Sequence, residues 1–209
     1  MIKIRDLKYC FKEYEFEINC QNLTADTGTS IGVYGKTASG KTLFSQIVSG
    51  VIRNYSGSVE IGMTELRSTY RKKIGYLPFR NILYNEMTVK EMSLFLLSQY
   101  KVAPSEFELK LKWFSQFCEI NSLISRKIFS LSDGELQYIK YFSALIHSPS
   151  VLIIDEPFNG LGDDSVVFIK SLLEDINSRE VTVLAVSSHK DLLTKISGRI
   201  YTVSEGKIE

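Results

Sequence analysis

The sequence predicts an α/β fold: a mostly parallel sheet core, an antiparallel β part at the N-terminus and an inserted α-helical subdomain. Three observations predict it. Short alternating runs crowd roughly the first 60 residues, Ile2–Leu7, Tyr14–Ile18, Ser30–Tyr34 and Ser58–Ile61, as half-buried strands do. Helical spacing replaces that alternation from roughly residue 80 to 145. From Val151 onward, apolar strand runs alternate with helix patterns, the signature of a parallel sheet covered on both faces.

The helical stretch opens at Thr88-Val89-Lys90-Glu91-Met92, with Met92, Phe95 and Leu96 on one apolar face. A second helix opens at Pro104-Ser105-Glu106 and carries Phe107, Leu111, Phe114 and Phe117 at helical spacing. Trp113 belongs to this packing, at its surface or in its core, and nothing supports a ligand role for it. Ser132 followed three residues later by Glu135 is a capping box that starts a third helix. Then come a strand Val151–Asp155, a helix near Ser165–Ile176, a strand Val181–Ser187, a helix near Leu192–Ile196 and a strand Arg199–Val203. The helices interrupt the chain that builds the sheet, so residues 1–209 read as a single domain with the helical subdomain inside it.

Composition narrows the function. With 209 residues and 44% hydrophobic content the chain can bury a full core. A net charge of +1 without a basic stripe argues against nucleic acid as partner. Leu94–Leu97 and Val151–Ile154 are far shorter than the ~20 apolar residues of a membrane span. Met1–Arg5 lacks a signal-peptide core. Cys10, Cys20 and Cys118, odd in number and scattered, read as reduced structural thiols.

The chemistry starts at Gly35-Lys36-Thr37-Ala38-Ser39-Gly40-Lys41-Thr42, which reads G-x-x-x-x-G-K-T between the strand Ser30–Tyr34 and a helix beginning near Leu43. Such a loop binds a nucleoside triphosphate. Its glycines turn successive backbone N–H groups toward the phosphates, and the helix N-terminus adds partial positive charge. Lys41 reaches the β- and γ-phosphates and Thr42 offers its hydroxyl to Mg²⁺. The strand Val151–Ile154 ends in Asp155 and Glu156. Asp155 is placed to hold Mg²⁺ opposite Thr42, and Glu156 to polarise a water against the γ-phosphate.

Ser132 lies in Leu131-Ser132-Asp133-Gly134-Glu135, which begins 24 residues before Asp155. With that spacing the chain resembles the nucleotide-binding subunit of ABC transporters, from Ile2–Leu7 to Glu205–Ile208. Gly35–Thr42 is similar to Walker A of the P-loop NTPases, Val151–Glu156 to Walker B with its glutamate, and Leu131–Glu135 to the L-S-G-G-Q signature. The resemblance implies ATP and Mg²⁺ as cofactors and ATP hydrolysis as the activity. It implies Glu156 and His189, 34 residues past Asp155, as the catalytic pair. Ser132 and Gly134 resemble groups that reach the ATP of a second cassette. Phe11, 24 residues before Gly35, matches the aromatic that stacks on adenine, with Tyr9 and Tyr14 as competitors. His147 has no such context and reads as structural.

Departures from the family pattern are equally specific. Phe79 stands in the glutamine slot of Gly75–Phe79, and an apolar ring offers no oxygen to a cation. Asp133 and Glu135 put acids into the signature, Tyr138 replaces a frequent arginine, and Gly162 takes the place of an aspartate with Asp163 one position late. The expected role is the ATPase subunit of an ABC transporter, peripheral on the cytoplasmic face, paired with integral-membrane subunits and a second cassette. The chain stops soon after Glu205-Gly206-Lys207, without a C-terminal regulatory domain, which tilts the direction toward export. The alternatives are a weakly active partner cassette and a non-transport ABC ATPase; a GTPase is disfavoured because no Asn-Lys-x-Asp motif is present.

Overall fold

Alternation of apolar residues forms the first two strands, β1 (Ile2–Phe11) and β2 (Phe16–Ala25), which pair antiparallel with Ile2 opposite Ala25 and Phe11 opposite Phe16. The computed structural model describes residues 1–11, 16–62, 64–65, 71–159 and 165–209. Tyr14, the beginning of the run Tyr14–Ile18, Gly162 and Asp163 lie outside the described residues. β1 is longer than its alternating run Ile2–Leu7, because its pairing with β2 continues to Phe11.

β3 (Ser30–Tyr34) leads through the Gly35–Thr42 loop into α1 (Lys41–Val48). β4 (Ser56–Ile61) returns antiparallel to β1 and is followed by the short β5 (Thr64–Glu65) and by β6 (Ile74–Leu77). Between β6 and β7 (Val151–Asp155) the chain forms α2 (Val89–Tyr100), α3 (Glu106–Phe114) and α4 (Asp133–Leu145). Two of these helices start on capping boxes, Thr88 with Glu91 and Ser132 with Glu135. The rest alternates: α5 (Ser165–Ser178), β8 (Thr182–Ser187), α6 (Lys190–Thr194), β9 (Arg199–Ser204) and β10 (Lys207–Ile208).

The strand order is β5-β4-β1-β2-β10-β9-β3-β8-β7-β6. β9, β3, β8, β7 and β6 are mutually parallel, and β10 joins them to the antiparallel part by pairing parallel to β2 and antiparallel to β9. Strand alternation divides the core in two. Leu152 and Ile154 of β7 join Val183 and Ala185 against α2 to α6, whereas Val151 and Ile153 join Leu184 and Val186 against α1 and the N-terminal strands. The phosphate loop and the acidic end of β7 therefore emerge at the same, C-terminal end of the parallel strands, where open α/β sheets bind ligands. No helix among the described residues is long and apolar enough to cross a membrane.

Candidate functional site

The loop Gly35–Thr42 is held to the sheet and turned inward by its own backbone. Gly35 N–H donates to the Ser187 carbonyl at the end of β8, 3.2 Å, and Ser39 N–H donates to the Lys36 carbonyl at 3.2 Å. Gly40 caps α1 with φ +100°, a conformation that favours glycine, and a Cβ there would lie 2.6 Å from Ile18 Cδ1. Lys36, Thr37 and Ala38 are exposed, while Ser39 is buried. Lys41 is 7% exposed, and its ammonium donates to the Gly35 and Lys36 carbonyls at 2.8 Å each. Burial lowers its pKa, an effect opposed by the carboxylates of Glu156 and Asp155.

Asp155 is 1% exposed, and neither carboxylate oxygen accepts a hydrogen bond of full geometry. Burial raises its pKa first; Glu156 adds to the rise, while the Thr42 and Ser45 hydroxyls and Lys41 partly offset it. A buried carboxylate left this way calls for a proton or a cation. The donors around it are hard oxygens, Asp155 and the Thr42 hydroxyl, which suits a Mg²⁺ that takes its other ligands from phosphate and water. Among the described residues no group of three or more His, Cys, Asp and Glu forms an all-protein metal cage. The residues present fit the ion only together with a phosphate ligand.

Glu156 follows in a left-handed backbone conformation, φ +54°. Its Oε2 accepts from Ser187 Oγ at 2.8 Å, its Oε1 from Ser188 N–H at 2.9 Å, and Oε1 lies 3.9 Å from the Lys41 ammonium. His189, exposed at the N-terminus of α6, has its backbone N–H bonded to Ser187 Oγ at 3.1 Å. Ser187, fully buried and not singled out by the sequence, thus holds the Glu156 carboxylate and the His189 backbone, and Glu156 in turn faces Lys41.

Aromatic rings flank the loop. A cleft of about 400 Å³ is lined by Phe11, Phe16, Ala38, Gly40, Lys41 and Thr42. Tyr9 stacks on Phe11 with ring centroids 6.5 Å apart. Phe16 also borders a cleft of about 850 Å³ on the other side of Lys36–Ser39, so it joins Phe11 as a base-stacking candidate. The sequence pointed to Tyr9, Phe11 and Tyr14 and not to Phe16, whose ring reaches the loop only because the register sets it opposite Phe11.

Ser132 is exposed and Gly134 half-buried at the start of α4, and among the described residues no hydrogen bond or ion pair joins either to Gly35–Thr42. The acid at Glu135 is neutralised within the chain. It accepts from Ser132 N–H at 2.8 Å and pairs with Arg126 at 2.6 Å, contacts that hold its pKa below the usual carboxylate range. Tyr138 packs edge-on against Phe168, centroids 4.6 Å apart. Phe79 is 47% exposed. His147 is buried, stacked on Tyr100 at 3.6 Å and bonded through Nε2 to the Ile74 carbonyl, a packing role. Trp113 donates its indole N–H to Asp175 at 2.9 Å and packs with Phe114 and Phe117.

Comparison with known proteins agrees with this arrangement. The sequence model described as "ABC transporter" matches residues 18–159. An uncharacterized ABC transporter ATP-binding protein of Methanocaldococcus jannaschii is 26% identical over 180 residues, which is 86% of this chain and 65% of that protein's length. The lipopolysaccharide export system ATP-binding protein of Acidithiobacillus ferridurans is 25% identical over 215 residues, 100% of this chain and 89% of the relative. Among solved structures, an ATP-binding subunit of an ABC transporter superposes with a TM-score of 0.90 at 19% identity, covering 100% of this chain and 88% of the other. A dimeric ATP-binding cassette in a post-hydrolysis state with ADP and Pi gives 0.87 at 22% identity, covering 100% and 97%. A phosphate loop, an acidic strand end and a capped signature helix on this sheet, with a family match across most of the chain, lead to one conclusion: the chain belongs to the ABC transporter family, as one of its ATP-binding ATPase cassettes.

Proposed function

We propose that this chain binds ATP with Mg²⁺ and hydrolyses it as the nucleotide-binding subunit of an ABC membrane transporter. The observation that carries the reading is the placement of Glu156: its carboxylate is fixed by Ser187 and Ser188 and lies 3.9 Å from the phosphate-loop lysine. Backbone N–H groups of residues 36–42 and the Lys41 ammonium hold the phosphates, and Phe11 or Phe16 stacks on the base. Asp155 and Thr42 would hold Mg²⁺, which would supply neutralisation of phosphate charge. Glu156 orients a water and takes its proton, and His189 hydrogen-bonds the γ-phosphate. Such chemistry is mostly positioning and charge stabilisation, which a carboxylate and a cation held in fixed geometry provide.

Integral-membrane subunits and a second cassette complete the assembly, with the chain on the cytoplasmic face. Ser132 and Gly134, on an N-terminus that also offers partial positive charge, serve the ATP of the facing cassette. Export is the favoured direction, since relatives that cover most of the chain are named for lipopolysaccharide export. A second reading, a weakly active partner cassette, is supported by Phe79, which turns a half-exposed apolar ring out where the family has a glutamine. Steady-state hydrolysis by the assembled transporter tests the proposal. Glu156→Gln is expected to keep ATP affinity and lower turnover by about 10²-fold, the low end of general-base effects. Turnover at the parent rate would show that Glu156 is not the base.

A further inference from the structure

Lys41 and Lys140 are the two buried lysines among the described residues, and both feel the carboxylate of Asp155. Lys41 belongs to the phosphate loop. Lys140 does not: it sits on α4, near the start of a run of buried residues from Ile139 to Leu145. A lone charge on such a face is costly unless something receives it.

The backbone explains how it is received. Gly75 of β6 lets α4 approach so closely that a Cβ there would stand 2.3 Å from the Ala144 carbonyl. Lys140 lies one turn before Ala144, on the same side of the helix, alongside the chain that continues from β6. Its ammonium donates to the Phe79 carbonyl at 3.3 Å. β6 pairs parallel to β7 with Leu77 opposite Ile154, so the end of β6 and Asp155 come together. Asp155, for its part, has two buried oxygens that accept no hydrogen bond of full geometry.

We propose that Lys140 is a positioning residue of the nucleotide site: its ammonium, anchored on the Phe79 carbonyl, gives Asp155 a fixed positive neighbour at the place where the Phe79 ring offers no polar group. This rests on the function proposed above. An ammonium has three N–H donors, and the bond to Phe79 leaves two for the side of the carboxylate. A cation built into the protein acts in two opposite ways. It attracts the triphosphate, so ATP binds with less help from a divalent ion. It also repels Mg²⁺ from the shared carboxylate, so more Mg²⁺ is needed to fill the site.

Calorimetric titration of ATP into the whole chain, once with EDTA and once over a Mg²⁺ series, separates these effects. Lys140→Met keeps the length and apolar character of the side chain and removes the charge. It is expected to weaken ATP binding in EDTA by about fivefold or more and to lower the Mg²⁺ concentration for half-maximal ATP binding by a similar factor, the low end of site-to-site coupling. Lys140→Gln, which keeps a donor for the Phe79 carbonyl, is expected to do the same, because charge carries the effect; it replaces the Met variant should that one not fold. Lys140→Arg is expected to keep parent behaviour in EDTA. Parent values for ATP in EDTA and for the Mg²⁺ midpoint, in folded Met or Gln variants, would overturn the inference while leaving the proposed function standing. A parent chain that binds no ATP in either condition would overturn both.

Discussion

Ser187 donates its hydroxyl to Glu156 Oε2 at 2.8 Å while accepting the backbone N–H of His189 at 3.1 Å. One buried oxygen thereby fixes the direction of a carboxylate from the end of β7 and the start of α6. Hydrogen bonds to charged groups contribute about 1.5–3 kcal/mol. Ser187→Ala therefore frees Glu156 to turn without removing it. Turnover is expected to fall roughly tenfold with ATP affinity unchanged, as read from kcat and a separate binding titration. An unchanged kcat would show that Ser188 N–H alone positions the carboxylate.

Lys41 is the cation that the phosphate loop buries, held between its own carbonyls and Glu156. Lys41→Ala removes a charge-assisted contact to the phosphates. ATP affinity measured by calorimetry is expected to drop at least about tenfold. Equal affinity in the two proteins would contradict phosphate binding by this loop.

His147 links stability to pH. Burial, its largest cause, pushes the imidazole down to about 4, although the Ile74 carbonyl opposes the shift. The unfolded imidazole titrates near 6.5. Between these values the unfolded chain binds the extra proton, so this contribution is complete above roughly pH 6.5 and is lost as pH falls toward 4. The loss amounts to about 3 kcal/mol at most. Denaturant unfolding of His147→Phe, which keeps an aromatic ring on Tyr100, is expected to show a flatter acid limb. An unaltered pH slope would rule the imidazole out as its source.

Among the described residues no hydrogen bond or ion pair joins Ser132 or Gly134 to the phosphate loop, and the proposed function has them serve a partner cassette. A mixing experiment in the assembled transporter tests this. Lys41→Ala on one cassette and Ser132→Arg on the other place both defects in one composite site and leave the second intact. Both substitutions on one cassette damage both sites. Activity is expected to survive better in the first arrangement; equal activity in both would reduce the signature segment to a capped helix.

The parts of this molecule readable from sequence are those whose cause is local. β3 and β7 coincide with the apolar runs Ser30–Tyr34 and Val151–Asp155, and Ser132 with Glu135 forms the capping box that their spacing implies. The strand β6 was not singled out as a strand, because four residues beside Pro78 carry too little periodicity. Long-range pairings were equally silent. Ser187 and Glu156 are 31 residues apart and meet only because β7 and β8 are neighbours. Lys140 carries no signal in the sequence, and its burial depends on the close approach of α4 to Gly75. Glu135 puts an acid into the signature, and its ion-pair partner, Arg126, lies nine residues upstream in a segment with no motif of its own.

The position of β3 has a consequence for how the protein comes into being. Its two neighbours, β8 and β9, follow it in the chain by about 150 and about 170 residues. During synthesis the phosphate-loop strand leaves the ribosome before β8 and β9 and has neither sheet partner until residues 182–204 arrive. Closure of the sheet is a late event of large loop entropy, so folding is expected to be slow. Until then an apolar strand with unpaired edges is open to aggregation and to chaperones. The sheet that carries the phosphate loop is complete around β3 only once residues 182–204 have been made.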